Sequence, residues 1–296
     1  MVRPIQLMIA GAQKAGTTSL FRYLTQHPQL STHPHREMSF FSHALEYDQG
    51  YERVFNKYFP EAGSGNKTIV AKDVMAFNSQ QALERLYAHN PELHIVVLLR
   101  HPVRRVYSAY WYARSRGWEP IKSFEQAIEA EPGRLAQDGF KWRYCAYLDT
   151  STYYRHIEVL WQRFGREKVN VYLTEDLHEN PRRICQDIYS ILDLDSAFTP
   201  AVEKRHNESS MARSELFARV FSKFTGSTSR AKMLARTFFS SAMIYKVKHA
   251  ILALNDKEFR PPPMAEETKR KLTDYFKPHN IRLSELLGRE LPLWNR

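Results

Sequence analysis

Residues Gly11–Thr18 read Gly-Ala-Gln-Lys-Ala-Gly-Thr-Thr and follow a short apolar run, Ile5–Ala10. A loop of this kind, set between a strand and a helix, turns successive backbone N–H groups toward one point. The helix dipole adds to them, and together they bind phosphate oxygens. Gly11 and Gly16 allow close backbone approach, Gln13 and Ala15 lie between them, and Thr17 and Thr18 add hydroxyl donors. Lys14, inside the loop, can place positive charge on a transferring or leaving group. The plain alternative is an ordinary strand-to-helix turn.

Arg100 closes the apolar run Ile95–Leu99, and Ser108 follows eight residues later. An arginine at a strand end and a serine on the next helix could grip a second, separate phosphate; a structural ion pair is the simpler use for Arg100. The position of the lysine separates this chain from the triphosphatase pattern G-x-x-x-x-G-K-[ST], because Thr17 stands where that lysine would be. Triphosphatases usually hold Mg²⁺ through an acidic residue at a buried strand end. Here that end carries Arg100. His33, His35 and His43 cluster in sequence, but without a tight pair on one helix face or paired cysteines they imply no metal site.

These residues need elements to hold them. The spacing predicts a helix over Thr17–His27, stopped by Pro28, and a helical turn over Val54–Phe59. A second strand is expected at Thr68–Ala71 and a helix at Ser79–His89. Ile95–Leu99 has the continuous apolar character of a strand buried on both faces of a parallel sheet. A helix from about Val103 to Arg114 follows, then an amphipathic helix at Tyr153–Phe164, a strand at Val169–Leu173 and a helix at Pro181–Leu192. Alternation of strands and helices argues for an α/β fold with a central parallel sheet, whose ligands bind at the carboxyl ends of the strands. Beyond Phe198 the chain reads as mainly helical, with Leu216, Phe217, Val220, Phe221 and Phe224 on one face. Thr268–Leu287 reads as a helix pair broken at Pro278.

An apolar share of 43% supports a sizeable core, and no internal repeat or long linker divides the 296 residues, so a single domain over 1–296 is expected. Cys145 and Cys185 are too few for a disulfide framework. No run reaches the roughly 18 apolar residues of a membrane span. Nor does a secretory pattern precede the first strand, so a cytoplasmic setting is expected. The formal charge of +11 is uneven: Lys204–Lys248 holds ten Lys or Arg against two Glu, a net +8. That segment is either a solvated face or a surface for anions or for peripheral membrane contact.

Together these pieces resemble the sulfotransferases that use 3′-phosphoadenosine 5′-phosphosulfate (PAPS), in a bacterial form related to the glycosaminoglycan branch. Gly11–Leu20 and Leu98–Tyr110 match the family's two nucleotide motifs. His33–Phe41, with Glu37 before Phe40-Phe41, is similar to its acidic segment. Val171–Pro181, containing Thr174-Glu175-Asp176-Leu177, and Asn280–Trp294 continue the likeness. The resemblance implies a P-loop-type three-layer fold. It also implies PAPS as co-substrate and its product 3′-phosphoadenosine 5′-phosphate, with no metal and no nucleic acid. The acceptor would be a hydroxyl, less readily an amine, of a carbohydrate, lipid or natural product. It further implies that Gly11–Thr18 holds the 5′-phosphosulfate, that Arg100 and Ser108 hold the 3′-phosphate, and that Arg205, Ser210 and Arg213 lie on the adenine side. Lys14 would stabilise the leaving oxygen, Glu37 would be the base and Lys72 would stand near the transferring group. Ala71 departs from the Glu that often precedes that lysine, and Asp73 is the alternative base. The competing readings are a P-loop kinase using ATP and Mg²⁺, and a basic membrane- or nucleic-acid-binding protein.

Overall fold

Five short runs rich in β-branched and other apolar residues pair into one sheet in the order β2-β3-β1-β4-β5, every neighbouring pair parallel. The computed structural model describes residues 2–60, 66–136, 143–202, 210–212, 256–258 and 261–295. The strands are β1 (Leu7–Gly11), β2 (Leu30–Thr32), β3 (Thr68–Lys72), β4 (His94–Leu99) and β5 (Val169–Leu173). All of β1 and, after its first residue, all of β4 are buried, as a central strand covered on both faces must be. β2, three residues long and directly after the Pro28 turn, is too short to announce itself by period.

Helices flank this sheet. α1 (Thr17–Leu24) buries Thr17, Leu20, Phe21 and Leu24, the one-face spacing of an amphipathic helix. α2 (Tyr51–Tyr58) is a full helix where a single turn was expected, burying Val54, Phe55 and Tyr58. α3 (Gln80–His89) starts at Ser79, whose side chain accepts from the Ala82 N–H. α4 (Pro102–Ser115) follows β4, and α5 (Tyr153–Phe164) precedes β5. α6 (Thr174–Glu179) begins at the residue after β5, and α7 (Pro181–Ile191) follows with Asn180 as its cap.

The last helix corrects the expectation of a break. α8 runs unbroken over Glu266–Leu287 with Pro278 inside it. Proline removes one hydrogen bond and clashes with the preceding turn, at about 3 kcal/mol. Burial of Leu272 and Phe276 before it, and of Asn280 and Leu283 after it, keeps both halves on one line. Asn280 Nδ2 also donates to the Trp294 carbonyl at 3.1 Å, tying the helix to the end of the chain.

The chain divides into two compact units: residues 1–106, 148–206 and 266–296, and residues 107–147 and 207–265. The first holds the sheet. The second is organised by Glu119, whose carboxylate receives two bonds from Arg134 (2.5 and 2.8 Å) and one from the Tyr147 hydroxyl (2.9 Å). It also contains β6 (Ser210–Ala212) and β7 (Asp256–Glu258), paired antiparallel. The expected apolar face from Leu216 to Phe224 lies outside the described residues. Cys145 and Cys185 are free and buried. No helix among the described residues is long and apolar enough to cross a membrane.

Candidate active site

The loop after β1 is shaped from behind. A Cβ on Gly11 would sit 2.5 Å from Phe77 Cβ, so glycine is required there by packing. Gly16 has φ +96°, in the left-handed region, and Lys14 joins it at φ 70°. The Ala12 N–H donates to Leu98 O (2.7 Å) and the Ala15 N–H to Ala12 O (3.2 Å). Two successive carbonyls are drawn backward: Lys14 O accepts from Arg100 Nη1 (3.0 Å) and Ala15 O from Thr174 Oγ1 (2.7 Å). The backbone N–H groups of Gln13, Gly16, Thr17 and Thr18 meet no acceptor among the described residues. α1 starts on Gly16 without a side-chain cap. A helix end with open N–H groups is an anion site.

The acidic segment lies at the same carboxyl edge of the sheet. Ile9 of β1 is in register with Lys72 of β3, and the Met38 N–H donates to Lys72 O at 2.7 Å. Lys72 Nζ donates to Glu37 Oε1 at 2.5 Å, and the Val74 N–H donates to Glu37 Oε2 at 3.2 Å. The lysine side chain is 1% exposed and the glutamate 22%, so the carboxylate is the member of the pair that solvent reaches. Burial pulls the Lys72 pKa down, and the charge and hydrogen bond of Glu37 oppose that pull.

His33 is a strut of this edge. Its Nε2 accepts from the Lys72 N–H at 3.0 Å, so Nδ1 carries the proton and donates to His35 O at 2.8 Å. Burial, then the charge of Lys72, pushes its pKa down to about 3, and both ring nitrogens are engaged. Asp73 is 0% exposed; its Oδ1 accepts from the Met75 N–H, and burial raises its pKa to about 7. A carboxyl so enclosed is closed to solvent, which leaves Glu37 as the partly exposed carboxylate of the two.

Arg100 stands where β4 ends, half-buried, its backbone carbonyl accepting from the Tyr153 hydroxyl at 2.8 Å. Tyr153 is therefore a buried brace rather than a ligand contact, and Trp294 packs against it at 5.8 Å between ring centroids. Ser108 lies on α4, in the second unit. Ser210 begins β6, while Arg205, Arg213 and most of the basic stretch 204–248 lie outside the described residues.

Residues 4–230 match the family described as the sulfotransferase domain. The chain belongs to this family. It is 25% identical over 303 residues to the bifunctional heparan sulfate N-deacetylase/N-sulfotransferase 1 of Xenopus tropicalis and 24% identical over 299 residues to number 4 of Mus musculus. Both alignments cover 98% of this chain, which spans 31% of each relative. A sulfotransferase of Alicyclobacillus acidocaldarius superposes over 100% of both chains with a TM-score of 0.68 at 24% identity, the same fold.

Two contacts of this chain escape a sequence reading of single motifs. Thr174 was visible only as part of a similar stretch, yet it grips the phosphate-type loop. Arg289 donates to both oxygens of Asp176 at 2.6 Å, and Asp176 in turn caps the Leu173 N–H at 3.0 Å. Arg289 thus braces the start of α6 from the C-terminal end of the chain. An arginine followed by Glu-Leu-Pro-Leu-Trp was the only signal, and the sequence does not say what it pairs with.

Proposed function

We propose that this sulfotransferase moves the sulfuryl group of PAPS to a hydroxyl or amine of a carbohydrate, lipid or natural-product acceptor. One observation carries the reading: a loop with open N–H groups and a lysine inside it shares a sheet edge with a partly exposed carboxylate oriented by a buried lysine. The open amides of Gly16, Thr17 and Thr18 suit the oxygens of a phosphosulfate. Gly11, Gln13 and Ala15 complete that cradle. Lys14 supplies positive charge to the bridging oxygen as its bond to sulfur breaks. Arg100, with Ser108, serves the 3′-phosphate, and Ser210, Arg205 and Arg213 the adenine side. Glu37 takes the proton of the acceptor as the new bond to sulfur forms. Lys72 holds Glu37 in place. The names of the relatives include N-sulfotransfer on heparan sulfate, which keeps an amine within the acceptor range.

The test has two parts. Thermal unfolding is measured with 3′-phosphoadenosine 5′-phosphate and, separately, with ATP and Mg²⁺. Labelled sulfate transfer from PAPS is then followed over an acceptor panel. Stabilisation by the bisphosphate and transfer to at least one acceptor are expected. Stabilisation by ATP and Mg²⁺ alone would overturn the reading in favour of a kinase.

A further inference from the structure

We infer that Thr174 is a positioning residue for the transfer loop: its hydroxyl aims the Gly16 N–H at the bound anion. The inference rests on the proposed donor reading and deepens it.

Thr174 is 7% exposed, at the point where β5 becomes α6. Its Oγ1 lies 2.7 Å from Ala15 O and 3.0 Å from Leu99 O, so one proton is shared between the loop and the end of β4. A trans peptide is planar, with C=O and N–H on opposite sides. Drawing Ala15 O toward Thr174 therefore turns the Gly16 N–H the other way, onto the open face of the loop. Gly16 cannot set that plane itself, since its φ of +96° and its lack of side chain leave it permissive. Thr174 is itself held in place. Asp176, gripped by Arg289, bonds the Leu173 N–H, and Leu177 Cδ2 would lie 3.3 Å from a Cβ on Gly16. Arg100 does for Lys14 O what Thr174 does for Ala15 O, so the two clamps fix consecutive peptide planes. Preorganised donors cost no rearrangement when charge develops, which is the condition for electrostatic stabilisation of a leaving group.

Thr174→Val keeps the shape and removes the hydroxyl. Thr174→Ser and Thr174→Ala differ only in that hydroxyl and carry the same comparison should the valine variant not fold. Expected results are a dissociation constant for 3′-phosphoadenosine 5′-phosphate raised about tenfold in Thr174→Val and Thr174→Ala, and a kcat lowered by a similar factor. Acceptor KM should stay within about twofold, and Thr174→Ser should behave as wild type. A Thr174→Ser variant as impaired as Thr174→Ala, or a Thr174→Val variant at wild-type affinity and kcat, overturns the inference. Pyrophosphate is titrated alongside because it probes the loop without any donor assignment. Unchanged pyrophosphate affinity in Thr174→Val sinks the inference whatever the donor. Failure of the wild-type protein to respond to the bisphosphate sinks the donor reading instead.

Discussion

Replacing Glu37 by Gln removes one charge and leaves the shape of the pair. Lys72 is 1% exposed and bonds Glu37 Oε1 at 2.5 Å. Breaking a fully buried ion pair costs about 3–5 kcal/mol. Glu37 is 22% exposed, so water screens part of that, and a Gln oxygen can still accept from Lys72. A loss of about 2 kcal/mol in urea unfolding at neutral pH follows. The pH dependence carries the sign. The folded-state pKa of Lys72 is already below its ordinary value because of burial, and loss of Glu37 lowers it further. Between that lowered value and the unfolded value near 10.4, the unfolded chain binds more protons, so stability rises with pH. The deficit of Glu37→Gln should therefore be full where Lys72 stays charged in both folded proteins and shrink as pH rises and the variant's Lys72 gives up its proton first. In activity, loss of a general base lowers kcat by about 10²–10⁴, while affinity for the bisphosphate changes by less than about threefold. Sulfate-transfer kinetics, calorimetric titration and urea unfolding at several pH values check the three parts. A Glu37→Gln enzyme with kcat near wild type, or a stability deficit that grows as pH rises above neutrality, would refute the reasoning.

Other outcomes follow from the same geometry. On the proposed role of its charge, Lys14→Met should cut kcat by about 10²–10³ in the same transfer assay, while methionine, which fills nearly the same half-buried space, leaves the unfolding temperature nearly unchanged. Gly11→Ala sets a methyl 2.5 Å from Phe77 Cβ and should destabilise by about 1–3 kcal/mol in urea. His33, neutral in the fold with its pKa near 3, takes up a proton in the unfolded chain below about 6.5. It therefore removes stability as pH falls through that window, and His33→Gln should flatten the acid limb of the stability curve by up to about 1.4 kcal/mol per pH unit.

Much of the first unit is legible as one-dimensional pattern. The run Ile95–Leu99 became β4, and the Tyr153–Phe164 stripe became α5 with Tyr153, Ile157, Leu160 and Phe164 buried. Both depend on neighbours within a few residues. The unbroken α8 was not legible, because a proline reads as a stop until the packing of Phe276 and Asn280 on either side of it is known. Gly11 was legible as a loop glycine, but the Phe77 side chain packed where its Cβ would stand was not, since the two are 66 residues apart in sequence. Asp73 and Glu37 look alike as candidate bases in sequence. Their burial separates them, the one enclosed and the other reachable.

The sequence by itself determined the local pieces: a glycine-bounded loop with a lysine inside it, the strand before it, the helix after it and the arginine at the next strand end. Their residues are contiguous, and steric limits on the backbone act over a turn or less. Only the tertiary structure decided which way the loop faces and what Glu37 holds. Those choices rest on contacts between residues 35 apart for Lys72 with Glu37, 86 apart for Arg100 with Lys14 and 159 apart for Thr174 with Ala15. No local propensity spans such distances. Pairing of β1 with β3 and β4, and of β4 with β5, brings these groups to one edge of the sheet.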